Sequence, residues 1–159
     1  MKIKIICVGK LKEKYWTAAV DEYLKRLSRY CKIELVEVKD EPIPEKLSDA
    51  EKEQVLFAEG EKILKQIPKN SVVCTLEIKG KLLTSEELAN KIAAYGLQGK
   101  DQITFIIGGS LGLAASVRKI SDWALSFSPM TFPHQLFRIM LLEQIYRGFK
   151  INHHEAYHK

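Results

Sequence analysis

Strand-like and helical apolar patterns alternate along this chain from one end to the other. That alternation restricts the fold more than any other feature, because it marks a parallel sheet with helices packed on both faces. Strands are expected at residues 3–8, 33–38, 72–77, 103–107 and 124–127, several of them near-continuous apolar runs, as doubly covered strands are. Between the first two, Trp16, Val20, Tyr23, Leu24 and Leu27 recur at helical spacing and give one apolar stripe. A second helix is signalled by the capping box Ser48-Asp49-Ala50-Glu51, after a loop punctuated by Pro42 and Pro44, and must stop before Pro68. A third begins at Thr84-Ser85-Glu86-Glu87 and runs out at Gly96 and Gly99. No repeat, composition break or low-complexity linker divides the chain, so its 159 residues (1–159) are expected to form a single α/β domain, a parallel-type sheet flanked by helices.

The last helix differs from the others. It is expected to open at Pro133, a favoured first helical position, and to run to about Phe149. Its apolar residues Leu136, Phe137, Ile139, Met140, Leu141, Leu142, Ile145, Tyr146 and Phe149 surround the helix axis almost completely. One sheet face does not cover such a helix, and a homodimer built on it is the expected cover, the alternative being a helix buried wholly within one subunit. No apolar run approaches the roughly 20 residues of a membrane span, and the apolar start is too short, and broken by Lys4, for a signal peptide. Cys7, Cys31 and Cys74 are odd in number and sit in or beside apolar strand-like runs, which points to buried thiols in a reducing compartment.

The net charge of +5 is small, but it is unevenly placed. Lys2, Lys4, Lys10, Lys12 and Lys14 face only Glu13 in the first fifteen residues, whereas residues 40–61 hold eight acids against Lys46 and Lys52. Either the basic end meets phosphate or both are ordinary solvated faces.

Three segments carry candidate chemistry. Gly108-Gly109-Ser110-Leu111-Gly112 follows the fourth strand directly, where open α/β sheets bind ligands; the glycines either admit a ligand to the backbone or serve the turn alone. No Gly-x-x-x-x-Gly-Lys-Ser/Thr loop exists, and only Gly9 follows the first strand, which sets aside phosphate-loop and dinucleotide folds and the common Rossmann-like methyltransferases. The loop Ser126-Phe127-Ser128-Pro129-Met130-Thr131-Phe132-Pro133 suits an aromatic ligand, with Phe127, Met130 and Phe132 to sandwich a purine, or else closes the core over the sheet end. The tail Asn152-His153-His154-Glu155-Ala156-Tyr157-His158-Lys159 offers stacking, proton-carrying and phosphate-binding side chains, disorder being its bland alternative. His154 and His158 stand four apart as zinc ligands do, but no Cys or third His is spaced to join them, so no metal is expected. Glu143 and Arg147, one turn apart in the apolar helix, are either an ordinary salt bridge or a pair held in a pocket.

Several of these segments together resemble a known family. Ile106 to Gly112, Leu125 to Gln135, Leu142-Glu143-Gln144-Ile145-Tyr146-Arg147, Tyr157-His158-Lys159 and Val8-Gly9-Lys10-Leu11-Lys12 are similar to the RlmH family of ribosomal RNA methyltransferases, and the likeness spans the chain. The resemblance implies the SPOUT methyltransferase fold, a homodimer with a deep C-terminal trefoil knot, and S-adenosylmethionine held by the knot loops. It also implies a cytoplasmic enzyme that methylates ring nitrogen 3 of a pseudouridine in the helix 69 stem-loop of 23S rRNA on assembled ribosomes. By position, Leu76, Gly108, Gly109, Phe127, Ser128, Pro129, Met130, Thr131 and Phe132 would contact the cofactor. Glu143, Arg147, Tyr157 and His158 would form the reaction side, with His158 as base or proton shuttle, Arg147 as stabiliser, Glu143 as its orienter and Tyr157 stacking on the base. Gly148, Ala156 and Lys159 depart from the family's usual residues and imply a looser tail. The rival expectations are a non-catalytic ribosome- or RNA-binding factor and an α/β enzyme using another nucleotide cofactor.

Overall fold

The computed structural model describes residues 1–158. Five strands, β1 (Lys2–Val8), β2 (Lys32–Val38), β3 (Val72–Leu82), β4 (Gln102–Ile107) and β5 (Trp123–Ser126), form one sheet in the order β2-β1-β4-β3-β5. Every neighbouring pair is parallel. The helices are α1 (Lys14–Leu27), α2 (Asp49–Leu64), α3 (Ser85–Leu97), α4 (Ala115–Lys119) and α5 (His134–Asn152). All five expected strands are present within a few residues. The largest differences are that β3 runs five residues further, to Leu82, and that the short helix α4 has no counterpart in the apolar periodicity.

Strand pleating sorts the apolar residues between two cores. Ile3, Ile5 and Cys7 of β1 turn to the face covered by α1, α3 and α5, while Ile6 and Val8 turn to α2 and α4. The three cysteines are buried and free; burial pushes Cys7 up to about 12, Cys31 to about 11 and Cys74 well above its ordinary value, so the thiolate, the reactive form, is suppressed. Both capping boxes form: Ser48 Oγ accepts from Glu51 N at 3.3 Å while Glu51 Oε2 accepts from Ser48 N at 2.7 Å, and Thr84 and Glu87 repeat the exchange. Pro133 stands at the N-cap of α5, one position before the first helical residue.

The α5 helix lies on the sheet between α1 and α3. Leu141, Leu142, Ile145 and Phe149 are buried there, whereas Leu136, Phe137, Ile139, Met140 and Tyr146 stay half-buried. Arg138, in the second turn of α5, ties the helix to the far end of the chain. This guanidinium, 1% exposed, donates from Nη1 to Glu37 Oε1 at 2.6 Å and from Nη2 to the carbonyls of Val8 at 3.1 Å and Gly9 at 2.7 Å. Glu37 Oε1 also accepts from Leu11 N at 2.9 Å, so the ion pair between buried Arg138 and the more exposed Glu37 joins β1, β2 and α5.

Gly148, inside α5, is buried against α3, and a Cβ there would stand 3.5 Å from Ala89 Cα and 3.7 Å from Ile92 Cδ1, ordinary contact distances. Nothing in the packing requires glycine. Gly148→Ala should therefore raise stability by about 0.5–1 kcal/mol in chemical denaturation, through the backbone entropy lost by a helical glycine. A destabilised variant would mean that α5 and α3 lack the room that the structure shows.

Candidate active site

The carboxyl ends of β3, β4 and β5 open on a cavity of about 450 Å³. Leu76, Gly108, Gly109, Phe127, Ser128, Met130, Thr131 and Phe132 all line it, and Pro129 does not. Its outer wall is aromatic, with Phe127 and Phe132 ring centroids 4.8 and 6.4 Å from that of Phe137 on α5. Ser126 Oγ donates to Ile78 O at 2.9 Å, and Ser128 Oγ accepts from Met130 N at 3.0 Å, which fixes the loop after β5 against the end of β3.

The glycine turn is demanded by its own geometry as well as by its place on the cavity. A Cβ on Gly108 would stand 2.5 Å from Gly112 O, and Gly112 has a φ of +87°. Beneath Gly109 lies Glu59 of α2, 3% exposed, whose Oε1 accepts from Glu41 N at 3.0 Å and whose carboxyl is pushed above its usual range chiefly by burial. A Cβ on Gly109 would meet Glu59 Oε2 at 2.9 Å, so this carboxylate is packed directly under the turn.

The tail folds back on α5. Glu143 Oε1 accepts from Arg147 Nε at 3.0 Å and Nη2 at 2.8 Å, and from the Tyr157 hydroxyl at 3.3 Å. The Arg147 guanidinium lies 4.8 Å from the centroid of the Tyr157 ring, which meets Tyr146 edge-on at 5.1 Å. His158 Nδ1 is 3.2 Å from Arg147 Nη1, and its Nε2 is 2.6 Å from Glu86 Oε1. Because Arg147 only donates and Glu86 as a carboxylate only accepts, this network assigns the neutral ring a proton on Nε2 and a lone pair on Nδ1. Hydrogen bonds from its own amide, from His158 and from Thr84 hold the Glu86 carboxyl at about 2. Glu155 binds Tyr30 and Lys150, and Asn152 Nδ2 donates to Ala89 O at 2.9 Å, further fixing the tail.

Thus the four residues expected on the reaction side form one cluster, but none of them lines the cavity described above. Glu143 lines instead a neighbouring hollow of about 480 Å³ between α3 and α5, and Phe127 borders both. Glu86 was read from the sequence only as part of a capping motif; an acid in a first helical turn carries no mark of a histidine partner. The N-terminal lysines do not form one patch. Lys2 and Lys4 lie towards the amino end of β1, Lys4 beside Glu34 at 3.6 Å, whereas Lys10, Lys12 and Lys14 are exposed beyond its carboxyl end, roughly 20 Å away at strand rise. His153 and His154 are exposed and take no part in the cluster, and among the described residues no group of three His, Cys, Asp or Glu is placed to hold a metal. Lys159 lies outside the described residues.

His134, half-buried on the cavity, is held below its usual range by burial and then by the Arg138 charge. The folded protein therefore favours the neutral ring. This contribution to stability is whole above the unfolded value near 6.5 and is lost as pH falls through the lower folded value. Denaturation between pH 7.5 and 5 should show His134→Gln losing less stability on acidification than the wild-type chain; parallel losses would mean that His134 does not titrate in a dry site.

Comparison with known proteins agrees with this architecture. The family model described as "Predicted SPOUT methyltransferase" matches residues 1–158. A ribosomal RNA large subunit methyltransferase H from Alkaliphilus oremlandii is 56% identical over 159 residues, 100% of both chains. A protein of the same name from Clostridium kluyveri is 55% identical, again over 100% of both chains. Among solved structures, a probable methylase family protein from Haemophilus influenzae matches with a TM-score of 0.57 at 16% identity, over 99% of this chain and 70% of that one, a likeness of fold. A family model that spans the described residues and full-length identities above one half show that the chain belongs to the SPOUT methyltransferase family, within its ribosomal RNA large subunit methyltransferase H (RlmH) group.

Proposed function

We propose that this chain, acting as one domain over residues 1–159, transfers a methyl group from S-adenosylmethionine to ring nitrogen 3 of a pseudouridine in the helix 69 stem-loop of 23S rRNA, on the assembled ribosome in the cytoplasm. The observation that carries this reading is the convergence of Glu143, Arg147, Tyr157 and His158 beside a separate aromatic cavity at the sheet's carboxyl end. The cavity suits the donor. At about 450 Å³ it is within the range of small-molecule sites, its Phe127 and Phe132 offer faces to an adenine, and the Gly108 turn brings backbone to its wall. Leu76, Gly108, Gly109 and the loop 127–132 would hold the donor, which supplies an electrophilic methyl on a sulfonium.

The protein's own groups handle the nucleobase. The proton on ring nitrogen 3 must leave as that nitrogen attacks, and His158 Nδ1, the ring nitrogen that carries the lone pair, accepts it once Arg147 Nη1 has turned from it to the uracil ring. Glu86 holds the Nε2–H and so fixes the tautomer and the ring's orientation. Arg147 stabilises the negative charge that develops on the uracil ring, and Glu143 aims Arg147 through two N–H bonds. Tyr157, already packed under the guanidinium, offers a face for stacking.

A homodimer completes this reading. The half-buried side of α5 and the hollow beside it, walled in part by Ile139, Met140 and Leu88, form the apolar surface that a second copy would cover. In such a dimer the tail cluster, which does not line the donor cavity of its own chain, would serve the donor bound by the other subunit. The trefoil knot belongs to the same reading, supported by a strand order in which β5 returns beside β3 after β4 has been laid on the other side of β3. Among the described residues no helix is long and apolar enough to cross a membrane.

Labelled S-adenosylmethionine incubated with assembled ribosomes should mark only those that carry the target pseudouridine. Label on both kinds of ribosome would overturn the substrate, and failure both to label and to bind the donor would leave a non-catalytic RNA-binding factor. His158→Ala should lower methyl transfer by about 100-fold or more, the scale of general base catalysis, while changing donor affinity by less than about twofold. Unchanged turnover would remove His158 from the reaction.

A further inference from the structure

The β3–β5 pairing is broken in the middle. Leu76 and Lys81 both register with Leu125, so residues 77–80 loop out as a bulge between them. Gly80 pins the bulge to β5, for a Cβ there would stand 2.6 Å from the Leu125 carbonyl carbon. Bulges of this kind re-aim side chains beside sites, and this one lays Glu77 along the donor cavity. Glu77 is built in rather than free. Its Oε1 accepts from the hydroxyl of Thr75 at 2.7 Å, and Thr75, fully buried, is itself 3.0 Å from Ser121 Oγ.

Opposite stands Arg118 of α4, which also lines the cavity. Its Nε is 3.2 Å from Glu77 Oε2, and its Nη2 reaches over the glycine turn, 3.6 Å from where a Cβ of Gly112 would stand. Among the described residues Arg118 makes no aligned hydrogen bond to protein, in contrast to Arg138 and Arg147, whose forks are engaged. A guanidinium with its fork unspent beside a ligand cavity suits a carboxylate, which it takes bidentately. A carboxylate next to it suits an ammonium. Only a zwitterion asks for both.

We infer that Glu77 and Arg118 form the docking pair for the zwitterionic amino-acid end of the methyl donor, Arg118 receiving the α-carboxylate and Glu77 the α-ammonium. The inference rests on the reading of the cavity as the donor site. It makes the pair a selector for donors that carry the amino-acid end over plain thioadenosines.

Calorimetric binding of two ligands separates these layers. S-adenosylhomocysteine keeps the amino-acid end, and 5′-methylthioadenosine keeps only the nucleoside and a methyl thioether. The wild-type chain should bind the first more tightly. Arg118→Met should weaken S-adenosylhomocysteine roughly 10-fold or more, the scale of a charge-assisted fork, while leaving 5′-methylthioadenosine within about twofold. Arg118→Lys, which keeps the charge without the fork, should fall between, and Glu77→Gln should follow Arg118→Met. Both ligands report on the same sample, so the ratio of affinities is insensitive to a misfolded fraction. Variants that weaken both ligands equally or neither, or a Glu77→Gln that loses 5′-methylthioadenosine as strongly and so places Glu77 on the ribose, would overturn the assignment. A wild-type chain that binds neither ligand would fail earlier, at the donor site itself.

Discussion

A parallel sheet must be covered on both faces, and here the cover of one face depends on a helix drawn from the far end of the chain. Without α5, the face formed by Ile5, Cys7, Phe105 and Leu125 would keep only α1 and α3 over it. The helix is held by more than apolar contact. Arg138 reaches from near its start to Glu37 and to the carbonyls at the end of β1, and a charge buried to that degree is tolerated only when it is paired in this way. The ion pair therefore fixes where α5 starts, and with it where the loop after β5 must end.

That placement is what turns a structural helix into the support of a site. Phe137, next to Arg138, backs Phe127 and Phe132 and so shapes one wall of the cavity at the sheet's carboxyl end. Further along, Glu143 and Arg147 face the returning tail, so a single helix sets both the cavity wall and the tail cluster. The opposite wall is set by the bulge in β3, pinned by Gly80 and carrying Glu77. Rigid elements hold the groups on both sides, as precise chemistry requires.

Much of the fold was legible because its signals are local. Both capping boxes lie within four consecutive residues and both form, and the strand runs show themselves by composition alone. Helix α4 was not legible, since five residues are too few to display a period. The length of β3 was hidden by its bulge, which interrupts the apolar run at Glu77 and Lys79. In the site, the glycine turn and the aromatic loop stood out by residue type. Glu59, Glu86 and Arg118 did not, because an acid or base on a helix reads as a solvated face until its neighbour across the fold is known.

The sequence by itself determined the class of the fold and the family and singled out the candidate site segments, because these depend on periodicity, turn chemistry and motifs within short stretches. Tertiary structure alone decided which groups meet. It paired Arg138 with Glu37 across 101 positions and His158 with Glu86 across 72, contacts that no local pattern encodes. It also split the N-terminal lysines between the two ends of β1, since neighbours in the chain are far apart once a strand is extended. Finally it set the tail cluster and the aromatic cavity side by side but separate, an arrangement fixed by how α5 lies between α1 and α3.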